Sequence, residues 1–321
     1  MRIKLPHTSH ILKSIILFLT LFFLYRQFHA ELAGEQRIPF GDRIKELFNY
    51  PNILYLSLAL ILMPLNYSLE AIKWKMVLKN LEEISFIKTV KSVFTGLSVG
   101  FITPNNIGDY AGRISFLKKE NRLSAIPLLF LVRLTQLLTT IWAGSFALFY
   151  FLKGNLFKTD EGNIIFTSIV LLIVTLCIFN LHKIPLLLFR NKIFAKFFYF
   201  LDTLQKIKLY NVLLLSIASM FRHFIFILQF YFVFCALNST LTLEQVFLGT
   251  SAALLVKSVL PGFKALNDLG IREAASIYFY HHFSESSLTV AGVCLIIWVI
   301  NMVMPALIGL MIIMVRKKVS N

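Results

Sequence analysis

The sequence predicts an all-α polytopic membrane protein with about six full transmembrane helices, two re-entrant helical hairpins and an inverted internal repeat. Three observations carry that prediction. The chain is 57% hydrophobic and only 15% charged, with 32 Phe, which is outside the range of soluble domains. Apolar stretches long enough to cross a bilayer recur along its whole length. Residues 50–150 are echoed, with short gaps, by residues 210–315.

The elements follow in order. A basic start (Arg2, Lys4, Lys13) leads into an apolar segment at 11–29. A cleaved leader would want small residues before the cut, and Phe28-His29-Ala30 supplies only one, so this segment is expected to remain as a first span. Further spans are expected at 51–72, 124–152, 163–182, 209–237 and 287–315. Each supplies the roughly 20 residues that a hydrocarbon core about 30 Å thick requires. Two apolar segments fall short. One, 92–102, ends at Thr103-Pro104; the other, 246–260, contains Lys257 and ends at Pro261. Helices there reach only about 17–23 Å, so both are expected to turn back.

Charge distribution supports the turns. With the N-terminus cytoplasmic and both short segments turning back, the cytoplasmic loops hold a large excess of Lys and Arg; if both crossed, the sides would be nearly equal. For the second short segment alone the charges discriminate poorly, and the repeat decides. Both termini are then expected on the cytoplasmic side of an inner membrane.

A single membrane-embedded domain, 1–321, is expected to comprise repeat one (11–152) and repeat two (163–315). Tyr50-Pro51-Asn52 is echoed by Tyr210-Asn211-Val212, and Val93-Phe94-Thr95-Gly96 by Val246-Phe247-Leu248-Gly249. Three crossings per repeat, an odd number, insert the second upside down, so the hairpin tips can meet near the midplane. Broken segments in corresponding places of two halves point to a binding site between them.

The candidate site residues lie at and near those tips. Asn105, Asn106 and Asp109 can cap the returning helix, with Arg113 placed to hold an anion; Asn267, Asp268, Arg272 and Glu273 repeat the plan. Arg133 and Arg222 fall inside apolar spans, where a charge costs about 3 kcal/mol or more unless paired or hydrated. Arginine matches phosphate bidentately and keeps its proton. Lys257 lies beside the second break. The plainer readings are mutual pairing of Asp109 with Arg113 and Asp268 with Arg272, pairing of Arg133 and Arg222 with Asp109, Glu70 or Glu273, and snorkelling of Lys257. His223 reads as a packed neighbour. Lys73, Lys75 and Lys79 read as a topology-setting strip, with Trp74 as an interfacial anchor.

Net charge +16 does not indicate nucleic acid, because the basic residues sit in short loops between spans, where they set orientation and touch anionic headgroups. Cys177, Cys235 and Cys294 are far apart in apolar segments and read as packing residues. His281, His282 and Glu285 lack a well-spaced further ligand, so no metal and no cofactor is expected. No nucleophile–base pair stands out, and no catalytic residue is expected.

At these residues the chain resembles the transmembrane region of lysylphosphatidylglycerol synthases, the flippase-like family. The similarity spans nearly the whole sequence and rests on four pieces. These are Ala71-Ile72-Lys73-Trp74-Lys75-Met76-Val77-Leu78, Pro104 through Gly108-Asp109 to Arg113, Val132-Arg133-Leu134, and Pro261 through Leu269-Gly270-Ile271-Arg272-Glu273. Departures exist. Where that family often places acids around the arginine matching Arg133, Val132 and Gln136 stand here, and its paired glycines are replaced by Asn267-Asp268.

The resemblance implies a membrane protein that binds or flips an anionic or polyprenyl-phosphate-type lipid. Synthase activity in that family belongs to a separate C-terminal domain and is not expected here. The expected partners are membrane lipids, with a protein partner or homo-oligomer left open. Competing readings are a membrane-embedded lipid-modifying transferase, with Asp109 and Glu273 as acid/base groups, or its accessory subunit, and a non-transporting scaffold.

Overall fold

A computed structural model describes residues 49–103, 106–152, 207–260 and 265–320; the side chains of 265–269 and 317–320 are outside the description. The expected spans 11–29 and 163–182, and the tip residues Pro104, Asn105, Pro261 and Gly262, also lie outside the described residues. Among the described residues, regular structure is helical throughout: α1 (Asn52–Leu78), α2 (Phe86–Ile102), α3 (Ile107–Ile114), α4 (Arg122–Leu152), α5 (Leu209–Ala236), α6 (Leu243–Val259), α7 (Ala265–His281), α8 (Ser287–Trp298) and α9 (Met304–Ser320). Four stretches are long and apolar enough to cross a bilayer, Asn52–Leu78, Lys119–Leu152, Leu209–Ala236 and Ser287–Arg316. They coincide with four of the expected spans.

α1 and α5 lie side by side and run in opposite directions. Arg222 meets Asn66, Gln229 donates to the Ala59 carbonyl at 3.0 Å, and Phe232 stacks on Tyr55 at 6.4 Å. As the residue number rises along one helix it falls along the other.

Each short apolar segment is one arm of a helical hairpin. α2 and α6 both contain 17 residues, and both start at a hydroxyl cap, Ser85 accepting from the Lys88 N–H and Thr242 from that of Gln245. Such caps satisfy donors that a first helical turn cannot. At the end of α2, Thr103 is extended and Asn106 takes a left-handed φ of 55°, an ordinary conformation for Asn, before α3 runs back. α2 and α3 meet backbone to backbone: a Cβ on Gly112 would stand 2.6 Å from the Gly96 Cα. α7 likewise returns along α6, where the buried Tyr280 hydroxyl donates to the Val246 carbonyl at 3.1 Å and pairs with Thr250 at 2.7 Å.

A carboxylate clasps the base of each hairpin. Glu82, ahead of α2, accepts from the Lys118 N–H and the Asn121 amide beyond α3. Glu285, beyond α7, accepts from the Ser239 hydroxyl ahead of α6.

The hairpins pack crosswise. α2 rests on α9, where a Cβ on Gly309 would come within 2.0 Å of the Phe94 carbonyl oxygen. α6 rests on α4, where a Cβ on Gly144 would come within 2.8 Å of the Ser251 carbonyl oxygen. The last long stretch also contains a π-helical turn, Val299–Val303, between α8 and α9. Pro305 has no N–H for the Asn301 carbonyl four residues back. The Tyr67 hydroxyl of α1 donates to that carbonyl.

Candidate functional site

The charged residues that the spans carry inward converge on one place, where α1, α3, α4 and α5 meet. From α1 come Asn66, Glu70 and Lys73, spaced i, i+4 and i+7 and so on one helical face. The α2–α3 hairpin delivers Asp109 and Arg113, brought close by the glycine contact at its middle. α4 delivers Arg133 and Gln136, and α5 delivers Arg222.

Two carboxylates organise the cluster. Asp109 accepts from Arg113 Nε at 2.9 Å and, through its other oxygen, from Arg133 Nη2. Glu70 accepts from Arg222 Nη1 and faces Arg113 Nη1 at 2.9 Å, off the line of a hydrogen bond. Arg222 Nε donates to Asn66 Oδ1 at 2.7 Å, and its Nη1 also reaches Gln136 Oε1 at 3.3 Å. Lys73 is the least well held, 3.8 Å from Glu70 and 3.4 Å from Gln136. Thus, among the described residues, four basic side chains stand around two carboxylates, and the three arginines alone outnumber the acids. The side chains of Glu70, Lys73, Asp109 and Arg113 are each at most 3% exposed, Arg222 is 14% exposed, and Arg133 is 41% exposed. Arg133 is the cluster's opening.

This cluster unites four of the residues singled out in the sequence, Asp109, Arg113, Arg133 and Arg222. The pairings of Asp109 with Arg113 and Arg133, and of Glu70 with Arg222, are those of the plainer reading; they leave the cationic excess uncompensated. Asn106 is exposed at the start of α3. Lys257 is half-buried in the last turn of α6, and Glu273 is half-buried on α7. Arg272 takes a different path from Arg113. It is buried, and its Nη2 donates to the Cys294 carbonyl of α8 at 2.9 Å. Asn105 and the side chains of Asn267 and Asp268 are outside the described residues. His223 is buried beside Ser251, 3.1 Å away, as a packed neighbour would be.

Two sequence readings are overturned. Lys73 is not part of an exposed strip: it points into the cluster, while Lys75 and Lys79 line a groove on the opposite side of α1. Trp74 is not an interfacial anchor but fully buried in the core. Beyond the predicted site members, Asn66, Glu70 and Lys73 carry a readable signal, because polar groups at i, i+4 and i+7 in an apolar helix share one face, and Gln136 stands three residues after Arg133 on α4.

Four stretches long and apolar enough to cross a bilayer, three of which carry side chains into a buried, ion-paired centre, define a multi-pass membrane protein. Residues 11–309 match the family described as the lysylphosphatidylglycerol synthase TM region. The chain belongs to that family. It is also similar to the UPF0104 membrane protein PH1989 of Pyrococcus horikoshii, at 23% identity over an alignment covering 86% of this chain and 91% of that protein.

Proposed function

We propose that this protein is a non-enzymatic lipid translocator of the inner membrane, which receives an anionic or polyprenyl-phosphate-type headgroup at the Arg113–Arg133–Arg222 cluster. One observation carries the reading: among the described residues, three arginines and a lysine against two carboxylates, with Arg133 at the opening. An excess of buried cation is costly unless an anion completes it. Arginine is suited to phosphate oxygens because it offers two donors in one plane.

The architecture we propose is an inverted repeat with re-entrant hairpins and both termini cytoplasmic. The opposed directions of α1 and α5 support it, as do the equal lengths of α2 and α6 and the reciprocal glycine contacts at Phe94 and Ser251. α3, with 8 residues, extends only about 12 Å, well short of a crossing. Rocking of one repeat on the other would expose the cluster to each side in turn.

The test is lipid movement in proteoliposomes, followed with fluorescent phosphatidylglycerol and phosphatidylcholine. Faster movement of the anionic lipid, lost in Arg113→Gln and Arg133→Gln and kept in Arg272→Gln, is the expected result. Equal movement of both lipids, or movement unchanged by the cluster substitutions, would remove the reading.

A further inference from the structure

Lys73 is the cation of the cluster with the poorest partners. Glu70 Oε2, its nearest carboxylate oxygen at 3.8 Å, is already engaged by Arg222. Its one hydrogen bond among the described residues, at 3.4 Å to Gln136 Oε1, is long, and that oxygen is shared with Arg222 as well. The lysine side chain is 0% exposed. An ammonium has three protons to place, and this setting offers them one weak acceptor.

Four of the elements around it add charge. Glu70 lies on the same helix, Asp109 and Arg113 come from α3, Arg133 from α4, and Arg222 from α5. α2 turns its Lys88 and Lys91 outward, where they line a groove with Arg316, and the π-helical turn has no titratable residue. The three arginines do not give up their protons in proteins. Lys73 is the cluster's cation that can.

We propose that Lys73 makes anion binding proton-linked: it is an amine when the anion leaves and an ammonium when the anion is seated. This rests on the anion-site reading above. The step is a simple protonation. One proton from bulk water joins the lysine nitrogen lone pair on binding and returns to water on release, and no other bond changes. The anion's negative charge makes the fourth cation tolerable, and an oxygen of the anion would give the ammonium the acceptor it lacks. Lipid phosphate and proton would therefore move together.

The experiment measures binding of dihexanoylphosphatidylglycerol to the detergent-solubilised full chain between about pH 6 and 9. That phosphodiester keeps one charge across the range, so any pH dependence belongs to the protein. A site that gains one proton on binding loses affinity as pH rises, by up to about tenfold per unit. Wild type should show that slope, with close to one proton taken up per lipid bound in weakly buffered dye solution. Lys73→Arg should bind with no slope and no uptake, and Lys73→Met should bind weakly, also without slope. Size-exclusion profiles establish that each variant is folded; if Lys73→Met is not, Lys73→Arg against wild type decides. A wild-type slope retained in Lys73→Arg, or a flat wild-type profile with good binding, overturns the proton link and leaves the anion site standing. Failure of wild type to bind the lipid at any pH removes the anion site, and the proton link with it.

Discussion

The two hairpins share a plan and differ in chemistry. Both start from a hydroxyl-capped helix of 17 residues, both are clasped at the base by a glutamate, and both press on a glycine of a distant helix. The first hairpin carries Asp109 and Arg113 into a buried charge network with Glu70 of α1. The second carries Arg272 to a backbone carbonyl of α8, and its packing is organised by Tyr280. The reason lies in the neighbours. α1, which Arg113 meets, has an acid in its apolar face, whereas α8, which Arg272 meets, has neither Asp nor Glu. Similar scaffolds thus hold one site where arginines meet carboxylates and one seam where an arginine meets a backbone carbonyl.

The comparison breaks most sharply at Glu70. Glu70→Ala takes from Arg222 and Lys73 the carboxylate they face and leaves Asp109 to Arg113 and Arg133, and truncating one partner of a buried ionic network costs on the order of 3–5 kcal/mol. Arg272→Met replaces a buried cation by an apolar chain of similar length and should stay within about 1 kcal/mol of wild type. Thermal unfolding midpoints in detergent measure both, and a larger loss for Arg272→Met would erase the asymmetry.

Next come the shared seams. Gly309→Leu and Gly144→Leu each force a side chain against backbone and should each cost about 1–3 kcal/mol. If only one of the two substitutions destabilises, the seams are not equivalent.

Arg133→Gln tests the opening of the charged site. Arg133 is partly exposed, so stability should change by less than about 1 kcal/mol. Loss of a charge-assisted hydrogen bond to phosphate should slow anionic lipid movement roughly tenfold. Proteoliposome assays read the rate separately from the melting midpoint.

The smallest effect concerns the clasps. Burial opposes ionisation of Glu82, but the Asn121 amide, the Lys118 N–H and the nearby Lys88 ammonium outweigh it and hold its carboxyl below the ordinary value. A carboxyl depressed in this way favours the folded clasp fully above the unfolded value of about 4.3, and the benefit is lost as pH falls through the folded value. Hydrogen exchange at the Lys118 amide should therefore accelerate, relative to its intrinsic rate, at acid pH. Glu82→Gln should abolish that dependence.

Much of this architecture was legible in the sequence because it depends on local rules. Apolar length marked the four described spans, and the prolines at 104 and 261 marked where helices had to stop. Arg133 and Arg222 stood out because few charges interrupt apolar runs. Lys73 did not, because Lys75 and Lys79 follow it closely and suggested a common surface. A helix turns about 100° per residue, so Lys73 and Lys75 point in nearly opposite directions. The parting of Arg113 from Arg272 could not be read locally either. Each follows an aspartate by four residues, and the difference lies in helices far away in sequence.

At Gly309 the Phe94 carbonyl, and at Gly144 the Leu255 Cβ with the Ser251 carbonyl, occupy the place a side chain would take. Such points behave as fulcra: a helix can swivel about one, but it has no cushion to compress and no room to drift. With one such point on each hairpin, the described helices are arranged to pivot there rather than to slide past one another.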